Sequence, residues 1–310
     1  LAIKDFYEYL GGLMTRCILR KIVLLSGLLL TVGSLTAQTN TQFTINDEWA
    51  RGPEGEWDGA TSWVAADGKG NVLVMVRQAP YFRLFDRDGH FLESWGAEGL
   101  YRNAHSVTYD NQGNIWATGA ARHIVDKFSP EGELLMSLGR VDQAGDNGSH
   151  YLFNQENHVF VTHGGDIYIT DGYTNSRVIQ FNGQGQFVRI IGGIKGSGDG
   201  ELDTPHGVAV DSRGRILVND SGNQRVAVFS AQGEFVESWP FPSRGGIVVM
   251  PDDTVYVSDV NAGAVNVIRD GELLDTISVD ARPHGLAVDS DGSIYVSDAR
   301  GRKVIKFSPR

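Results

Sequence analysis

The 310-residue chain has one cysteine, Cys17. A lone thiol cannot form an intrachain disulfide, so a cystine-stapled scaffold is excluded. Cys17 precedes an apolar run, which is not where a lipoprotein anchor would stand. Basic residues are in the minority: 27 Lys and Arg against 38 Asp and Glu give a net charge of −11. Nucleic-acid binding leans on a basic face, so no nucleic-acid partner is expected. The acidity reads as solubility. After residue 40 no stretch sustains a helical apolar period, so helices are not expected to build the body of the fold. The apolar run at 22–30 is too short for an ordinary membrane span.

The surroundings of that run form a pattern. Met14 is followed by Arg16, Arg20 and Lys21, then by the run itself, then by small and polar residues to Ala37. A basic stretch, a short apolar core and a small-residue break predict a secretory signal peptide over residues 1–37. Residues 1–13 precede Met14 and read as an over-extended start. The expected product is exported, periplasmic or extracellular, with no membrane span once the signal is removed. Cys17 leaves with the signal, so no thiol nucleophile remains.

Glycine, by contrast, is abundant at 39 residues. Many glycines sit in turns that recur along the chain. Six copies align on those turns, at 62–75, 105–118, 157–170, 206–219, 245–258 and 284–297. Each copy is a short apolar strand, a tight turn of Asp, Gly and Asn, and a second strand. Gly and Asn accept positive φ, which suits a hairpin. Third strands follow at 178–181, 226–229 and 304–307, and fourth strands such as 235–239. Four short strands per unit predict the blade of a β-propeller. The expected fold is all-β, a six-bladed β-propeller over residues 41–310. The last copy stops after its third strand, and a spare strand at 43–46 precedes the first. The simplest closure completes the last blade with that N-terminal strand, which removes two free sheet edges.

The residues at the start of the copies are Ser62, His105, Asn157, His206, Gly245 and His284. Histidine occupies alternate copies. In a closed ring of six, alternate copies lie one third of a turn apart, so these side chains converge on the axis. Three neutral imidazoles with an open fourth position make the pattern of a catalytic zinc site. The competing reading is that Pro-His-Gly, found at His206 and His284, is only turn chemistry. His158 and His163, one and six residues off the phase, read as surface or turn histidines. Asp171, Asp220, Asp259 and Asp298 close second strands and read as acceptors for turn N–H groups. Arg177 and Arg225 are expected to pair between neighbouring blades.

These repeats resemble NHL repeats. More narrowly, residues 71–307 resemble the peptidyl-α-hydroxyglycine α-amidating lyases. The most specific stretch is Thr170 to Arg177, which reads TDGYTNSR. The stretches ARHIVDKF at 121–128 and LGR at 138–140 also match that family. The resemblance implies zinc held by His105, His206 and His284. It implies Tyr173 as catalytic base and Arg77 as the arginine that steadies the anion. The implied reaction breaks the N–Cα bond of a small-molecule or peptide substrate ending in α-hydroxyglycine, giving an amide and glyoxylate. A separate monooxygenase would supply that substrate. The chain also departs from the family. A second family arginine falls at Ser221, an acidic calcium ligand at Gly285, and a methionine at Arg282. Structural calcium is thus not carried over through Gly285, and Arg282 is a candidate to supply substrate-binding charge. Thr174 stands where the family has a disulfide cysteine.

Two other readings stay open from the residues. One is a non-catalytic NHL propeller that binds a protein or glycan. The other is a propeller lactonase, although such sites are carboxylate-rich and the phase residues here include no Asp or Glu. Tyr173 itself can be a base or a strand-end aromatic that packs on a neighbouring blade.

Overall fold

Tight turns of Asp, Asn and Gly fold the short apolar stretches back on themselves. In one such turn Asp110 Oδ1 accepts the N–H groups of Gln112 and Asn114, and Gly113 takes a φ of 83°. Repeated along the chain, these hairpins build six four-stranded antiparallel sheets. This computed structural model describes residues 42–50 and 60–310. The signal peptide expected over 1–37, with its start, lies outside the described residues. Among the described residues no helix is long and apolar enough to cross a membrane.

Each sheet is one blade. The inner strands are Thr61–Ala66, Ala104–Tyr109, Glu156–Val161, Pro205–Val210, Ile247–Val249 and Pro283–Val288. The sixth blade takes its outer strand from the N-terminus, as the sequence predicts. Phe43–Asn46 pairs antiparallel with Val304–Pro309, Phe43 opposite Pro309 and Asn46 opposite Lys306. Trp49 then packs between Phe85 of the first blade and Tyr295 of the sixth, with its Nε1–H on the Arg87 carbonyl.

The core is divided rather than single. Six apolar clusters lie between consecutive blades. Val159, Ile169 and Phe153, for example, fill the space behind Trp116 and Val125. Burial between blades is therefore what holds the ring.

The strand-closing aspartates behave only partly as expected. Asp259 and Asp298 do accept turn N–H groups. Asp171 and Asp220 instead reach back to the N–H groups of Asn154 and Asp203. Arg177 and Arg225 do not pair between blades. Each lies opposite its own blade's aspartate in the hairpin register, Arg177 with Asp171 and Arg225 with Asp220. The Arg177 guanidinium holds Asp171 Oδ2 at 2.8 Å and also donates to the carbonyls of Asn147, Ser149 and Leu152. The pair thus pins the segment that enters its own blade.

One buried group works against stability. Glu156, at the head of the third inner strand, is fully buried, and its carboxylate oxygens make no well-formed hydrogen bond, the backbone amides of Glu156 and Ile124 giving only weak relief. Burial, with Asp171 and Asp126 nearby, pushes its carboxyl well above the usual range. The folded state therefore holds a proton that the unfolded chain releases above ordinary carboxyl pH. Stability is full below that pH and is lost as pH rises toward the folded value. Glu156→Gln is expected to raise stability near pH 8 by about 1–3 kcal/mol and to flatten this slope. Urea unfolding of both proteins at pH 5 and pH 8 checks it. Equal slopes for the two proteins would refute the assignment.

Candidate metal centre

The site begins with a bulge. In the first blade Thr61 pairs with Val76 and Trp63 with Met75, which leaves Ser62 as an extra residue. The third blade skips Asn157 in the same way, between Glu156 and His158. The ladder breaks at the same phase in the blades of His105, His206 and His284. A bulge re-aims side chains and ends strict alternation. It brings the three histidines onto the axis.

Their ring centroids stand 5.0–5.1 Å apart pairwise. One ligand atom from each lies within 4.8 Å of the others, and all three residues are buried. The neighbouring phase residues orient them. His105 Nδ1 faces the Asn157 carbonyl at 2.6 Å, His206 Nδ1 the Gly245 carbonyl at 3.3 Å, and His284 Nδ1 the Ser62 carbonyl at 2.7 Å. A carbonyl only accepts, so each Nδ1 carries the proton and each Nε2 keeps its lone pair. Backbone carbonyls on the outer nitrogen are a common way to fix metal-binding histidines. The carbonyls are themselves held across blades, by Thr118 on Asn157, Asn219 on Gly245 and Ser297 on Ser62.

Burial, with His206 and His284 adding to it, holds His105 well below the usual imidazole range. Burial does the same to His206 and brings His284 to about 4. All three imidazoles are neutral at neutral pH, which is the ligating form. Three neutral, oriented nitrogen donors fit zinc.

Tyr173 follows the second strand of the third blade. Gly172 leaves no room for a side chain there, because a Cβ would fall on the Pro205 carbonyl. Its N–H donates to Asn157 Oδ1 at 2.9 Å. The turn so fixed sets the Tyr173 hydroxyl 2.8 Å from His105 Nε2 and 3.4 Å from His206 Nε2. The residue is 37% exposed, so its ring lines the mouth while its oxygen points at the imidazoles. Burial raises its pKa, and the charges of Arg77 and Arg244 oppose that.

Arg77 is half-buried, and its Nη1 donates to Asn103 Oδ1 and to the Ala104 carbonyl, next to His105. The backbone N–H of Arg282 donates to Asp298 Oδ1 at 3.3 Å. A second arginine whose charge acts on Tyr173, Arg244, is not singled out by the sequence. It stands one residue before Gly245, and that adjacency to the ring phase is the only signal the sequence carried. Gly285 has no space for the acidic side chain that the resemblance implies at its position, since a Cβ would lie 2.6 Å from Trp63 Cα.

His158 is not a surface residue. It is buried, and its ring stacks on Trp63 at 4.9 Å. Strict alternation would turn it away from the axis; the bulge at Asn157 turns it in. His163 is exposed in a turn, as expected.

Known proteins with similar sequences agree with this architecture. An NHL repeat model matches residues 202–229 and 281–306. Human NHL repeat-containing protein 3 is 31% identical over 299 residues, covering 86% of this chain and 84% of that protein. Peptidyl-glycine alpha-amidating monooxygenase B of Xenopus laevis is 33% identical over 70% of this chain, which spans only 27% of it. A probable peptidyl-alpha-hydroxyglycine alpha-amidating lyase of Caenorhabditis elegans is 26% identical, covering 72% of this chain and 69% of its own length. Among solved structures, a streptogramin B lyase superposes with a TM-score of 0.62 at 13% identity, covering 87% of this chain and 99% of that one, a likeness of fold alone. With six blades, the matched repeats and a human relative aligned over most of both chains, this protein belongs to the NHL-repeat β-propeller family that includes NHL repeat-containing protein 3.

Proposed function

We propose that the protein is an exported zinc-dependent lyase that cleaves the N–Cα bond of an N-acyl carbinolamide to give an amide and glyoxylate. The observation that carries this reading is the trio His105, His206 and His284, each with Nδ1 on a backbone carbonyl, and the Tyr173 hydroxyl set against two of their Nε2 atoms. The relatives named as amidating lyases and monooxygenases support it, and the pattern of residues 14–37 supports export.

Zinc bound at the three nitrogens would supply a Lewis acid for the substrate hydroxyl oxygen. The rest falls to this chain's side chains. Tyr173, as the phenolate, takes the hydroxyl proton. The carbon–oxygen bond becomes a carbonyl, the N–Cα bond breaks, and the proton ends on the departing amide nitrogen. A tyrosine is a poor base near neutral pH, with a pKa of about 10. Cationic neighbours must lower it; Arg77 and Arg244 act in that sense against the larger effect of burial, and zinc at the three nitrogens would act in the same sense. The same arginines suit the carboxylate of an α-hydroxyglycine end. Arg244 is a further candidate, beside Arg282, to supply substrate-binding charge. The hydroxylated substrate would come from a separate monooxygenase.

Purified protein is expected to hold about one zinc per chain and to release glyoxylate from α-hydroxyhippurate. Elemental mass spectrometry and a glyoxylate assay check both. A second reading, a propeller that binds a partner without chemistry, draws on the human relative, which is named for its repeats alone. Metal-free protein that takes up no added zinc would favour that reading.

A further inference from the structure

Beneath the three imidazoles the channel does not continue as open space. The Trp63 indole occupies it, only 2% exposed. Its ring centroid lies 5.9 Å from His105, 6.1 Å from His206 and 5.2 Å from His284. His158 stacks on it at 4.9 Å with planes 28° apart. His158 is anchored in turn, its Nδ1 accepting the Val208 N–H at 3.3 Å. On the far side of Trp63 lies a cavity of about 150 Å³, lined by Trp63 and His158 together with Ala66, Tyr109, Phe160 and Val288 among others. Apart from His158 in the third blade, the residues following the phase in the other blades are small: Ser106, Gly207, Gly246 and Gly285. At Gly285 even a Cβ would meet Trp63 Cα at 2.6 Å and Cγ at 2.9 Å. The ring is cleared around this indole except for the His158 imidazole stacked on it.

We infer that Trp63 is a positioning residue of the metal site, a partition across the channel that closes the three imidazoles from beneath and leaves the Tyr173 side as their approach. The inference rests on the zinc reading above. An indole ring offers no lone pair to a metal, since its nitrogen is a donor only. Where Trp63 stands, neither water nor a carboxylate can reach the ion. Oxygen-seeking cations that take six to eight ligands could not complete their shells there. A metal content with three nitrogens and an open position toward the mouth could. The partition also keeps water out of the space behind the ligands, which strengthens electrostatic contacts at the site.

Cobalt(II) in place of zinc tests this through spectroscopy rather than turnover. Wild-type protein is expected to bind one equivalent with an intense visible band and to lose part of its tryptophan emission. Trp63→Phe keeps a ring in the channel. It should bind cobalt with the same band, and the loss of emission should largely disappear. Trp63→Ala should bind cobalt about 10–100-fold more weakly, the range for losing a group that supports the ligands. Its band should weaken as water joins the ion. Trp63→Leu, which keeps more of the buried volume, should show the same change and serves if the alanine variant does not fold. Unchanged affinity and spectrum in the alanine or leucine variant would overturn the inference while leaving the metal site standing. Wild-type protein that takes up no cobalt would overturn the metal reading and this inference with it.

Discussion

His206→Ala is expected to leave a folded propeller that retains no zinc and releases no glyoxylate. His206 contributes one of three nitrogens, and no other His, Cys, Asp or Glu joins the trio among the described residues. Losing a residue that merely supports a ligand costs about 10–100-fold in metal affinity, and losing the ligand itself should cost more. The fold should survive because His206 sits in a bulge on the axis, outside the apolar clusters between blades. Its removal should cost the ordinary 0.5–3 kcal/mol or so of a buried substitution. His163→Ala is the control. It deletes an exposed turn imidazole that is not part of the trio. Zinc content and circular dichroism of the two variants decide the point. Full zinc retention in His206→Ala would return the histidines to turn chemistry.

Tyr173→Phe is expected to lower kcat by about 10²–10⁴-fold, the usual worth of a positioned proton acceptor. Zinc content should be unchanged, because the phenylalanine ring still lines the mouth and the three nitrogens keep their carbonyl partners. KM should move much less than kcat, since the lost interaction is made mainly as the proton moves. If Tyr173 only packs at a strand end, the deletion of one oxygen would leave kcat nearly intact. Steady-state kinetics on the zinc-loaded variant separates the two. Activity equal to wild type would remove Tyr173 from the chemistry.

The blades, their order and the closing strand were legible because each rests on turn residues and a repeat. Asp110 and Gly113 announce a hairpin whatever the rest of the chain does. The trio was legible for the same reason, since His105, His206 and His284 share a phase. What could not be read depends on departures from period two. Trp63 and His158 face the channel only because the phase residue is an extra one in the ladder. Arg244 lies in the connection between the fourth and fifth blades, where no repeat predicts its direction. Arg177 was assigned to a neighbouring blade because its position opposite Asp171 is a matter of register, which the sequence does not print.

The contact between His284 and the Ser62 carbonyl joins residues 222 positions apart. Ser62 belongs to the first blade and His284 to the last, whose outer strand is itself borrowed from Phe43–Asn46. The trio therefore exists only in a shut ring. Any ion that binds it adds RT ln(1 + [L]/Kd) to the free energy of shutting, about 4 kcal/mol at a thousandfold excess over Kd. Ion binding and closure of the ring would then be one equilibrium. A chain whose first and sixth blades have not met would have no place to hold the ion, and a loaded chain would carry a latch at the seam between those blades.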